Sequence, residues 1–128
     1  MTSSPKDMLS GTANSYRNKI HVISLVQEII VNDQVFLFGV RYVPDKILLA
    51  QEGVCDYLTQ TLGMEARGIE QLTHDILEDV MDHIIPKWIE VTLKQKQNKA
   101  GQEVVVIMED RQPGWENEPL LKRLPALF

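Results

Sequence analysis

The sequence has a single cysteine, few aromatic side chains, no long apolar run and no dense cluster of positive charge. Each shortage excludes something. One thiol, Cys55, cannot close an internal disulfide, so a reducing, cytoplasmic setting fits better than a disulfide-stapled secreted one. No apolar run approaches the roughly 18 residues of a membrane span, so neither a transmembrane helix nor a membrane partner is expected. The leading residues, MTSSPKDMLSGTANSYRNK, lack the apolar centre of a secretory signal and read as a flexible arm over 1–18. Net charge is −5, and the densest basic stretch is KQKQNK. Neutralising phosphates takes concentrated Lys and Arg, so nucleic acid is not an expected partner. Compact metal motifs are missing too. His21, His74, His83 and Cys55 are scattered, with no Cys-x-x-Cys or His-x-His pair, and no metal site is expected.

What is present suits one soluble domain. The chain has 128 residues, 44% of them hydrophobic and 24% charged, enough for a real core. Residues 19–31 are rich in Val and Ile and read as a strand. Asn32-Asp33 supplies a turn, and 34–43 returns as a second strand. Phe36, Phe38, Val40 and Tyr42 share one of its faces, with Val35, Leu37 and Arg41 opposite. Both faces are apolar enough to need cover, which points to association. Pro44 ends that strand. A first helix is expected over 49–62, stopped by Gly63, and a second over about 69–85, broken by Pro86. KWIEVTLKQKQ (87–97) alternates cleanly, NKAG turns the chain, and 102–110 reads as a fourth strand. The remaining 111–128 form an irregular tail with one helical turn. The expected fold class is therefore α+β: an antiparallel four-stranded sheet in ββααββ order over 19–110, with two helices on one face.

One residue breaks the pattern of the second helix. On a helical wheel Ile69, Leu72, Ile76, Leu77, Val80, Met81, Ile84 and Ile85 fill one arc, and Glu70 falls inside it. A carboxylate on an apolar face needs hydrogen-bond donors, best of all two side by side. Its place in the first turn, where the dipole favours negative charge, lets it stay ionised and accept from a ligand. A planar N–H/NH₂ edge, such as guanine or pterin presents, matches its two oxygens. The bland alternative is a first-turn glutamate that bends to solvent or pairs with Arg67 or Arg41.

Several segments carry a family resemblance. Tyr42-Val43-Pro44-Asp45-Lys46, Glu70-Gln71-Leu72-Thr73 and Pro86-Lys87-Trp88-Ile89-Glu90-Val91 resemble, in order and nearly in spacing, segments of the tunnelling-fold superfamily. Within it, the segments resemble those of GTP cyclohydrolase I and 7-cyano-7-deazaguanine reductase, a nitrile reductase. The resemblance covers roughly residues 35–95. It implies ββααββ units assembling side by side into a barrel. It also implies pockets at subunit boundaries for a purine or pterin-like small molecule. Glu70 matches the glutamate that anchors the heterocycle in that family.

The family's reaction chemistry has no match. The cyclohydrolase zinc ligands are absent. The reductase cysteine would fall near Val26-Gln27-Glu28, and its recognition glutamate near Ala50, with Gln51 and Glu52 close by. Amide and carboxylate side chains do not replace a thiolate. Catalytic residues and any cofactor are thus unassigned, and Cys55 reads as a small core residue. His74-Asp75 neighbours diverge on a helix, Trp88 and Trp115 suit packing better than stacking, and Glu78, Asp79 and Asp82 read as a solvated acidic face. Three functions stay open: a ligand-binding enzyme with altered catalytic residues, a non-catalytic sensor or ring component, and an interaction module without a small ligand.

Overall fold

A computed structural model of the chain describes residues 4–63 and 67–128. Six strands and three helices follow a short 3₁₀ turn at Pro5–Met8: β1 (Gly11–Ala13), β2 (Ile23–Val31), β3 (Gln34–Val43), β4 (Ile47–Leu49), α1 (Val54–Leu62), α2 (Ile69–Ile84), β5 (Trp88–Gln95), β6 (Val104–Arg111) and α3 (Glu118–Lys122). The main sheet is antiparallel in the order β2-β3-β5-β6, and β1 pairs with β4 in a second, two-stranded sheet. The expected α+β class and ββααββ order are observed.

Turn chemistry sets the register. Asn32 and Asp33 both adopt positive φ, 51° and 62°, so Val31 faces Gln34 across a two-residue turn. Such turns match the twist of the flanking strands, and Asn and Asp tolerate this backbone. From there the pairing runs to Ile23 opposite Tyr42, and β3 pairs with β5 from Val43–Trp88 to Phe36–Gln95. Asn98 Oδ1 accepts from the N–H groups of Ala100 and Gln102 and shapes the turn into β6.

The register puts Phe36, Phe38, Val40 and Tyr42 beside Ile89, Val91 and Leu93, all buried beneath the helices. Leu58 and Leu62 of α1, and Leu72, Ile76, Val80 and Ile84 of α2, close this core. Tyr57 ties the two helices together. It is buried, and its hydroxyl donates to Asp79 at 2.6 Å. Burial and this bond push its pKa up, so the phenol stays a donor. Asp79 is therefore not part of a purely solvated acidic face, whereas Asp82 meets Lys6 from the 3₁₀ turn.

Several boundaries differ from the expectation. β2 begins at Ile23 rather than 19. Residues 47–49 form a strand, and α1 starts only at Val54, because Gly53 turns the chain with φ 84°. A Cβ there would lie 2.5 Å from the Met8 carbonyl oxygen. Cys55 is exposed, not a core residue. Ile85 is 58% exposed, because the chain leaves the helix there in the left-handed region instead of continuing the apolar arc. The connection read at 64–68 lies partly outside the described residues. In the segment set apart as an arm, Leu9 is buried in the core, and Asn14 donates to the Asp45 carbonyl at 2.8 Å.

The second face of the sheet is partly covered by the chain's own tail. Leu120 of α3 is buried against Val43 and Trp88. The Trp88 indole N–H donates to Glu109 at 2.8 Å, so this ring packs rather than offering a stacking platform. Beyond the tail, Val26 and Ile30 on β2 and Val105 and Ile107 on β6 remain exposed. These are the two edge strands.

Candidate ligand-binding site

The start of α2 is built from Gly68 to Asp75. Gly68, extended at φ −70° and ψ 165°, supplies no side-chain cap. Its carbonyl takes the Leu72 N–H at 3.0 Å. The helix therefore opens without a capping side chain, with the positive end of its dipole at Glu70. Thr73 is fully buried and pins the same turn by donating to the Ile69 carbonyl at 2.7 Å. Asp75 collects three neighbours: Arg67 Nη1 on one oxygen, Gln71 Nε2 on the other at 2.7 Å, and the His74 ring at 3.5 Å. Burial works to raise the Asp75 pKa, but these hydrogen bonds outweigh it and hold the carboxyl below its usual range.

Glu70 itself is exposed. The wheel places it in line with Leu77 and Met81, yet burial along α2 begins only at Leu72. Ile69 beside it packs partly against the core, while Glu70 stays in solvent, so its angular position alone does not bury it. Among the described residues, none of the principal clefts has Glu70 in its wall. Arg41 is committed to Glu90 on the other side of the sheet, and Arg67 to Asp75. Exposure in a single chain is what a site completed by another subunit requires; a solvated first-turn glutamate shows it equally.

A cleft of about 410 Å³ lies at the other end of the molecule. Thr12, Ile23, Tyr42, Leu48, Leu49, Ala50, Gln51 and Glu52 line it. Tyr42 is 1% exposed, and its oxygen accepts the Leu49 N–H at 3.0 Å. That bond leaves the phenolic proton to be donated. Burial raises the Tyr42 pKa, so the proton stays on at neutral pH. The sequence marks only the apolar side of this tyrosine. A tyrosine on the core face of a strand, just before a Pro-Asp turn, signals a hydroxyl that must find partners.

Glu70 and this cleft do not meet in one chain. α2 ends at Ile84, which lines a small cavity with Ile47 of β4. From residue 70 to 84 a rise of about 1.5 Å per residue spans on the order of 20 Å. The start of α2 follows α1, whose terminal Gly63 lies against Val31, at the opposite end of β2 from Ile23.

The remaining sequence candidates stay apart. Val26 and Glu28 are exposed on the second face, and Gln27 Nε2 donates to the Glu28 carbonyl at 3.0 Å. His83 Nδ1 lies 2.9 Å from the Asp79 carbonyl oxygen, within its own helix. Among the described residues no group of three or more His, Cys, Asp or Glu is gathered as for a metal, and no helix is long and apolar enough to cross a membrane.

No protein-family model matches the chain, and no curated protein sequence matches it. Among solved structures, the chain is similar to an archaeosine synthase described as QueF-like, crystallised in the apo form. The identity is 24%, the match covers 70% of this chain and 91% of that one, and the TM-score is 0.49.

Proposed function

We propose that the chain is a tunnelling-fold protein that binds a purine- or pterin-like heterocycle at a boundary between copies of itself. Glu70 is the anchor, its two oxygens accepting adjacent N–H donors from the ligand edge. The observation that carries this reading is the Glu-Gln-Leu-Thr segment that begins at Glu70 and resembles the family's anchor, in the first turn of an α2 that lacks a capping side chain. The ββααββ order supports it.

On this reading, the separation of Glu70 from the Tyr42 cleft means that the two half-sites come from different copies. One protomer offers the carboxylate. Its neighbour offers a cleft with the Tyr42 hydroxyl as donor, Gln51 and Glu52 at the rim, and Ile23 and Leu48 as apolar walls. Flat, nitrogen-rich rings need this mixture of apolar surface and a few placed polar groups. β2 and β6 are the edge strands of the main sheet, and their unpaired backbone suits pairing of copies edge to edge.

Within this reading, binding is better supported than catalysis. By the resemblance, the family's cysteine would fall near Val26-Gln27-Glu28, and the lone thiol, Cys55, is exposed on α1. That favours a sensor or ring component over a zinc hydrolase or nitrile reductase.

A melting screen against guanine, GTP and neopterin tests the proposal, since a ligand of the folded state alone raises the midpoint. A rise with one of these is expected, together with a light-scattering mass of several chains. A flat response to all three in an assembled sample, or a clean monomer, contradicts it. Turnover of GTP, or NADPH oxidation with a nitrile, separates an enzyme from a binder.

A further inference from the structure

The second face of the sheet holds a seat for residues 125–128. Gly39 sits in the middle of β3, between Val26 and Thr92 on the neighbouring strands. A glycine inside a strand weakens it and marks a place where another part of the chain comes close. Here a Cβ would lie 2.8 Å from Leu127 Cδ1 and 3.1 Å from Phe128 Cζ. The tail fills the notch that the missing side chain leaves. Two residues further on, Arg41 Nη1 donates to the Pro125 carbonyl, while Arg41 Nε holds Glu90 at 2.8 Å. Beside the segment is an open cleft of about 380 Å³, with Arg41, Glu90 and Thr92 in its floor, Leu127 and Phe128 on the tail side and the exposed Ile107 on the other.

The root and the tip of this tail are held very differently. At the root, α3 is capped by Asn117, whose side chain accepts from the Leu120 N–H, and Leu120 is buried on Val43 and Trp88. At the tip, Pro125 and Ala126 are exposed, Leu127 is half-buried and Phe128 is 44% exposed. Segments with few buried contacts open at far lower cost than the whole fold.

We propose that residues 125–128 are a strap that covers Gly39 and the Thr92 side of the second-face cleft in the single chain and lifts from Gly39 to uncover it, while α3 stays in place. The strap governs access to the Arg41–Glu90 pair and to Thr92, independently of Glu70, which belongs to the helical layer.

Thiol labelling of the full chain tests this. Cys55→Ser removes the exposed native thiol, and Thr92→Cys places a reporter in the cavity wall at a position only 4% exposed. A matching reporter, Thr73→Cys, sits in the core between helices and sheet, fully buried. Leu127→Asp then weakens the strap, since a charged group does not stay in an apolar seat. With Leu127→Asp added, the cavity-wall thiol is expected to react about tenfold faster and the core thiol at an unchanged rate, as local opening requires. If the cavity-wall thiol reacts no faster with Leu127→Asp, or if both thiols accelerate together, the strap does not exist.

Discussion

Ile85 closes α2 in the left-handed region at φ 43° and ψ 60°, a conformation that a β-branched residue adopts under strain. Its side chain is exposed, so little packing is lost by removing it. Ile85→Gly is expected to stabilise the fold by about 1 kcal/mol in urea unfolding, because glycine meets no penalty there. Tyr57→Phe removes the donor to the Asp79 carboxylate and is expected to cost about 1 to 2 kcal/mol in the same assay. Asp75 adds a pH dependence of definite sign. Its carboxyl is depressed in the folded chain, so its contribution is complete above the ordinary value of 3.8 and fades as pH falls through the folded value. Asp75→Asn is expected to flatten the loss of stability below about pH 4, read from melting midpoints across an acid series. The sequence singles out Glu70 and the turn it occupies, but places it facing inward. A wheel reports angle and not position along the axis, and in the first turn of α2 burial is only partial, with Ile69 half-covered and Glu70 in solvent.

At the scale of elements, periodicity locates α2 and the β2–β3 and β5–β6 hairpins within a few residues. These segments are long, and their apolar faces repeat. Ile76, fully buried in the middle of α2, carries that face; Ile76→Ala is expected to cost about 2 to 5 kcal/mol in denaturant unfolding, as lost burial plus a cavity. β4 is not legible in the sequence. It has three residues, and it is a strand because β1, far earlier in the chain, pairs with it through Ala13–Ile47. Nothing local in Ile47–Leu49 signals that partner. The start of α1 is misread for a related reason, since Gly53 breaks an otherwise helical-looking run just where Met8 crosses it. The tail shows the same limit: Gly39 is readable as a glycine in a strand, but its occupant, Leu127 and Phe128, is set by the tertiary fold.

At the scale of the whole molecule, Glu70 and the Tyr42 cleft lie at opposite ends, and β2 and β6 form the two edges of the sheet, each with exposed apolar residues. The proposed association of copies through β2 and β6 would use these unpaired edges. Ile107→Lys places a charge on the exposed part of β6, where it should disturb an edge contact without touching the core. It is expected to shift the light-scattering mass towards the single chain while the unfolding midpoint of the monomer holds. An unchanged mass in an assembled sample removes β6 from the interface.

The central claim is that the Glu70 carboxylate receives a paired-donor ligand edge, and Glu70→Gln tests it most directly. The substitution keeps size and shape but turns one acceptor into a donor. The measurement is the rise in melting midpoint produced by whichever of guanine, GTP or neopterin stabilises the native chain. The rise should vanish in Glu70→Gln while the ligand-free midpoint stays where it was. The same rise in both proteins would show that the ligand is held elsewhere.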